Sequence, residues 1–181
     1  MHAILRQRFR RHALALALAA CAPAASQAQA PAAAPEYKLK AAFVYNFALF
    51  TDWPPGGEGG ALNICVNGEG GLRAALGEFQ DRTIKGRRLQ VRSWNDADAA
   101  RQCHVLVLDP ADRDRWTQVR KSLSGASVLT VADDADIGRS GAVITLFLEN
   151  NRIAFDIDMT AARQARLTLS SKLLRLARTT Q

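Results

Sequence analysis

A length of 181 residues is one domain's worth of chain, and an isoelectric point near 9.9 makes nucleic acid the first partner to consider. The formal balance is 24 Lys and Arg against 17 Asp and Glu, or +7, but four of those cations (Arg6, Arg8, Arg10 and Arg11) crowd the amino terminus. Without them the count is 20 against 17, or +3, and the densest remaining run, Lys85 to Arg92, reads as a solvated turn and strand edge, which sets nucleic-acid binding aside.

In chain order, the cationic opening carries no acid and runs into an apolar stretch from Ala13 to Ala22, the pattern of a secretory signal peptide. A membrane span needs about 20 apolar residues, and this run is about half that before Pro23 interrupts it. Two processing routes are open. Leu18-Ala19-Ala20-Cys21 resembles a lipoprotein box, which would make Cys21 a lipidated N-terminus, whereas Ser26-Gln27-Ala28 suits ordinary signal peptidase and would discard Cys21 with the leader. The expected organisation is a leader over 1–28, a Pro/Ala/Gln-rich linker over 29–36 and a single domain over 37–181.

From Tyr37 to Trp53 apolar residues recur at Leu39, Ala42, Phe43, Phe47, Phe50 and Trp53, a three-and-four spacing that predicts a helix with one broad apolar face, stopped by Pro54-Pro55. Leu62 to Val66 reads as a short strand, Gly70 to Phe79 as a brief helix and Leu89 to Trp94 as a second strand. Val105 to Leu108 is continuously apolar, as a strand buried on both faces of a parallel sheet requires. Asp109-Pro110 then opens a helix to about Leu123, with Trp116, Val119 and Leu123 on its apolar face and Gly125 closing it. Ser127 to Val131 is the next strand, followed by an acidic stretch from Asp133 to Asp136 that reads as a solvated loop. Ala142 to Leu148 and Arg152 to Ile157 form a hairpin across Glu149-Asn150-Asn151. One long amphipathic helix over 160–177 is expected to end the chain. Alternating strands and helices finished by a hairpin predict an α/β fold, a mostly parallel sheet flanked by helices, with a C-terminal β-hairpin and closing helix.

Export has a consequence for the thiols. Once Cys21 is removed or lipidated, Cys65 and Cys103 are left as a pair in an oxidising compartment, where a disulfide is the expected state. Two buried free thiols are the alternative. Bridging positions 38 apart should stabilise by about 4 kcal/mol on the chain-entropy view.

The opening Tyr37-Lys38-Leu39-Lys40-Ala41-Ala42-Phe43-Val44-Tyr45-Asn46-Phe47, continuing through Phe50-Thr51-Asp52-Trp53-Pro54, resembles that of the YfiR family. Ile64-Cys65-Val66 with Cys103-His104-Val105-Leu106 agrees, as do Ile153-Ala154-Phe155-Asp156-Ile157-Asp158 and Leu169-Ser170-Ser171-Lys172-Leu173-Leu174-Arg175-Leu176-Ala177. The resemblance implies a periplasmic repressor of a membrane-bound diguanylate cyclase, tuning cyclic di-GMP in response to envelope redox state, soluble or tethered through Cys21. It further implies an outer-membrane lipoprotein as a sequestering partner, and a homodimer. Some members carry a second disulfide, for which this chain has no cysteines.

No catalytic set emerges from the residues, and neither a metal site nor a cofactor is expected. His104 is the lone histidine after the leader, and a Cys103/His104 dyad is geometrically poor because strand neighbours point to opposite faces. Ser170-Ser171-Lys172 lacks the serine three positions before the lysine that a serine/lysine pair requires. Asn67-Gly68-Glu69-Gly70-Gly71 fails as a phosphate loop, and Asp133, Asp134 and Asp136 fail as a calcium loop on spacing. A receiver-like phosphoacceptor role for Asp109 fails because Asn67-Gly68 stands where paired acids are needed, so Asp109 reads as a helix N-cap. Tyr45 and Asn46, off the apolar stripe, and Glu149, Asn150 and Arg152, at the exposed hairpin turn, are the candidate partner-binding residues. The rival reading is a periplasmic small-ligand receptor using the crevice at the sheet's carboxyl edge.

Overall fold

A computed structural model describes residues 33–55 and 60–181. The leader, with Cys21, lies outside the described residues. The opening helix α1 (Ala33–Leu49) is shorter at its C-terminal end than the periodicity suggests, because Thr51–Asp52 leaves the helix as strand β1. Its buried face is also rotated: Lys40, Ala41, Val44, Phe47 and Ala48 are buried, while Leu39 is 42% exposed.

The rest follows as β2 (Leu62–Val66), α2 (Gly71–Gly77), β3 (Thr83–Ile84), β4 (Arg87–Arg92), α3 (Ala97–Arg101) and β5 (Val105–Leu108). Then come α4 (Arg113–Ser122), β6 (Leu129–Ala132), α5 (Ala135–Arg139), β7 (Ile144–Glu149) and β8 (Arg152–Ile157). The chain ends with α6 (Met159–Gln164), β9 (Thr168–Leu169), α7 (Ser171–Leu176) and β10 (Thr179–Thr180). Eight strands make one sheet in the order β10-β8-β7-β6-β5-β2-β4-β3, parallel from β7 through β4, with β8, β10 and β3 running the other way. The mostly parallel α/β sheet flanked by helices expected from the sequence is what the chain forms.

Period two sorts the side chains between two cores. Ile64 and Val66, Val105 and Val107, Leu129 and Val131, and Ile144 and Leu146 face Val44, Phe47, Leu72, Leu76 and Leu173 of α1, α2 and α7. Cys65, Leu106, Leu108 and Ala132 face Ala100, Trp116 and Ile137 of α3, α4 and α5. Each fully buried aliphatic side chain contributes roughly 1.5–3 kcal/mol. Gly138 is required where α5 meets β7, since a Cβ there would fall 2.2 Å from Thr145 Oγ1.

The long closing helix does not form as one piece. Arg166 adopts φ +55, Thr168–Leu169 pairs antiparallel with β1, and Ser170 caps a separate short helix, α7, by accepting from the Leu173 N–H. Apolar residues at helical spacing here serve two helices and a strand between them. The hairpin turn behaves as its residues require: Asn150 and Asn151 take φ +49 and +59, the left-handed pair of a tight turn between strands paired from Ile144↔Ile157 to Glu149↔Arg152.

Candidate functional site

In the parallel part of the sheet, β2 lies between β4 and β5, so the chain winds first to one side and then to the other. Such a reversal opens a crevice at the carboxyl ends of β2 and β5, the usual ligand position in open α/β sheets. Here the chain fills it. Asp109 accepts from the Ala111 N–H at 2.8 Å, and its own N–H donates to Asp112 Oδ2 at 3.0 Å, a reciprocal cap that confirms Asp109 as an N-cap. Asp112 is 1% exposed and also accepts from Asn67 Nδ2 at 3.3 Å and from Arg115 Nε at 2.9 Å. Burial lifts the Asp112 carboxyl above its ordinary pKa despite those bonds. Arg115 in turn lies 4.0 Å above the Trp94 ring.

The first turns of α1 close the crevice from above. Tyr37 lies so close to Gly71 that a Cβ there would sit 2.2 Å from its ring. Lys40, 7% exposed, reaches Asp133 Oδ2 at 2.8 Å and Glu36 Oε1 at 2.6 Å. Burial opposes the Lys40 charge, but the bonds and charges of Asp133 and Glu36 outweigh it and hold the ammonium above its ordinary pKa. Burial, with help from Glu36 and Asp109, raises the Asp133 carboxyl.

The acidic stretch after β6 is therefore not a solvated loop. Asp134 is 6% exposed, caps α5 by accepting from the Asp136 and Ile137 N–H groups, and is paired with Arg113, which holds its carboxyl below the usual range. Crevice carboxylates with cations and N–H groups already in place are structural polar groups, each satisfied as burial demands.

The structure brings Cys65 and Cys103 together as a disulfide with a Cα–Cα distance of 5.8 Å, joining β2 to the turn between α3 and β5 on the α3/α4 side of the sheet. His104, immediately after, turns its ring toward Trp53, edge to face at 5.9 Å, and toward Arg87 of β4. Its Nδ1 accepts from the Asn63 N–H at 3.0 Å, and Nε2 faces an Arg87 guanidinium nitrogen at 2.8 Å. Burial, then the Arg87 charge, lowers the His104 pKa from 6.5 to about 4. Between those two donors the ring is held in its neutral form.

The candidate partner-binding residues fall on two separate surfaces. Tyr45 is half-buried, stacked on Phe79 at 4.9 Å with Arg82 beside both rings. Asn46 is exposed, with its amide donating back to the Ala42 carbonyl at 2.9 Å. Glu149, Asn150 and Arg152 are exposed at the hairpin turn. Arg178 ties that turn down, pairing with Glu149, donating to Asp156 at 2.9 and 2.6 Å, and lying 4.2 Å over the Phe147 ring. Among the described residues no hydrogen bond or ion pair joins the two surfaces.

Lys40 and Arg178 were not anticipated as structural anchors. Lys40 was legible in principle, since it sits four and seven positions before Val44 and Phe47 on the buried face. Arg178 had no signal, because its role depends on a hairpin and a terminal strand meeting. Among the described residues no helix is long and apolar enough to cross a membrane, and no three His, Cys, Asp or Glu side chains form a metal-binding group.

The sequence profile described as YfiR/HmsC-like matches residues 37–178. The chain belongs to this family. The match spans nearly the whole described domain, from the crevice-closing Tyr37 to Arg178, so the elements above are those of a YfiR/HmsC-like domain. A crystal structure of a conserved domain protein from Vibrio cholerae O1 biovar El Tor strain N16961 superposes with a TM-score of 0.53 at 11% identity, over 80% of this chain and 60% of that one. At that identity the likeness is one of fold, and this chain spans about 60% of the length of the Vibrio protein. The ABC domain of a Streptococcus pneumoniae protein, solved with L-Trp, gives 0.49 at 8% identity, over 67% of this chain and 55% of that one.

Proposed function

We propose that this YfiR/HmsC-like chain is an exported, non-enzymatic regulator that works in the periplasm by binding and repressing the periplasmic domain of a membrane-bound diguanylate cyclase. The family match over residues 37–178 carries this reading. The disulfide supports export to an oxidising compartment. In this reading residues 1–28 direct export, Cys21 is either lipidated or discarded, and the domain dimerises and is sequestered by an outer-membrane lipoprotein. Tyr45, Asn46, Glu149, Asn150 and Arg152 are candidate contact residues.

The mechanism is conformational. The Cys65–Cys103 bridge holds the start of β5 against β2, and with it the α3 and α4 layer, so its reduction shifts the population of the partner-binding form. Deleting the gene is expected to raise cellular cyclic di-GMP, and wild type supplied in trans is expected to restore it. Cys65→Ser at equal protein level is expected to restore it poorly; full restoration would remove the redox part and leave the binding part standing. The small-ligand reading has less support, because Tyr37, Lys40 and Asp112 occupy the crevice it needs.

A further inference from the structure

A groove of about 760 Å³ lies at the opposite, amino edge of the sheet, between the last turn of α4 and α6. Its origin is in the strand register. β5 and β6 pair from Val105↔Leu129, but β6 and β7 pair only from Val131↔Ile144, so their amino ends part. Thr130 Oγ1 spans the gap by accepting from the Val143 N–H at 2.9 Å. The Arg166 guanidinium donates to the carbonyl of Gly125, one of the lining residues.

The lining of the groove carries more positive than negative charge. Arg120 and Lys121 line one wall, both exposed, and among the described residues neither forms an ion pair. Asp158, the acid in the lining, is committed to capping α6, accepting from the Thr160 and Ala161 N–H groups at 2.8 Å each. Gly141, at φ +97, leaves room for Arg120: a Cβ there would fall 2.8 Å from its Nη1. The floor is apolar, with Leu123, Val128 and Val143 between the polar walls. Two adjacent unpaired cations above an apolar floor are complementary to carboxylates placed beside apolar side chains.

We propose that this groove docks the partner protein through a segment that carries acidic residues next to apolar ones. The proposal rests on the regulatory reading above and adds a site to it. The groove is distinct from the hairpin turn, which lies at the other end of β7, about 20 Å away for a six-residue strand.

The test uses the full chain, purified from the envelope, against the purified periplasmic domain of a membrane diguanylate cyclase encoded in the same genome. Arg120→Glu with Lys121→Glu is expected to weaken binding at least tenfold with an unchanged circular dichroism spectrum and melting temperature. Arg92→Glu, a charge reversal at the carboxyl end of β4, three strands from β6 and outside the groove lining, is expected to stay within threefold of wild type. Binding by the double variant within twofold of wild type would overturn the groove and leave the regulatory reading intact. Equal losses in the double variant and in Arg92→Glu would also overturn it, since net charge alone would then explain them. Failure of wild type to bind would overturn both, as would retention on anionic vesicles in place of the cyclase domain.

Discussion

Lys40 and His104 are polar side chains placed where apolar ones are the rule, and each makes a testable demand on stability. Lys40 neutralises Asp133 and Glu36 in the closed crevice, so Lys40→Met leaves two half-buried acids without their cation. A loss of about 3 kcal/mol in urea unfolding is expected, and Lys40→Met with Asp133→Asn should recover part of it. His104 works through its neutral form, because both ring nitrogens face donors and an added proton would meet the Arg87 charge. The unfolded chain takes up that proton near pH 6.5, while the folded chain resists until about 4. The histidine's contribution is therefore complete above pH 6.5 and lost as the pH falls toward 4. Between pH 7.5 and 5 it should amount to about 2 kcal/mol, read as the difference between wild type and His104→Gln so that the buried carboxylates cancel.

Among the elements, the hairpin and the chain's end show where local chemistry decides structure and where it does not. Asn150-Asn151 satisfies a turn with two left-handed residues. Replacing either with Ala should cost about 1 kcal/mol, whereas Asn151→Gly should be neutral or stabilising in thermal unfolding. That hairpin was legible because turn residues announce themselves, as was the Asp109 cap through the proline that follows it. The buried strand Val105–Leu108 was legible because its apolar run is short, half β-branched and stopped at once by Asp109-Pro110, which favours a strand over a buried helix. The C-terminal region was not legible. Ala162, Leu169 and Leu173 are all buried, at a spacing of seven and four that one helix would also give, yet the pairing of Thr168–Leu169 with β1 is a contact made more than a hundred positions away. The acidic stretch at Asp133–Asp136 misled for a similar reason: its solvation depends on Lys40 and Arg113, which reach it from distant elements.

For the whole molecule, the disulfide joins the two halves of the parallel sheet at their junction, and its removal acts on the unfolded chain as much as on the folded one. Reduction, or Cys65→Ser with Cys103→Ser, should lower stability by up to about 4 kcal/mol, which for a domain of this size is a fall of roughly 10 °C in Tm. The candidate site divides the same way between readable and unreadable. The cysteine pair was visible from compartment and count alone, whereas the amino-edge groove arises from a difference in register between neighbouring strand pairs, which no single segment encodes.

The antiparallel pair of β1 with β9 ties the end of the first helix to a segment a dozen residues from the C-terminus. A ribosome, or any translocation channel, delivers the amino end first. Val44, Phe47 and Ala48 then emerge long before Leu169 and Leu173, the residues that complete their cover. Native closure must wait for the last part of the chain, so the nascent domain stays open and threadable through most of its delivery, with the apolar face of α1 available to a holding chaperone in the meantime.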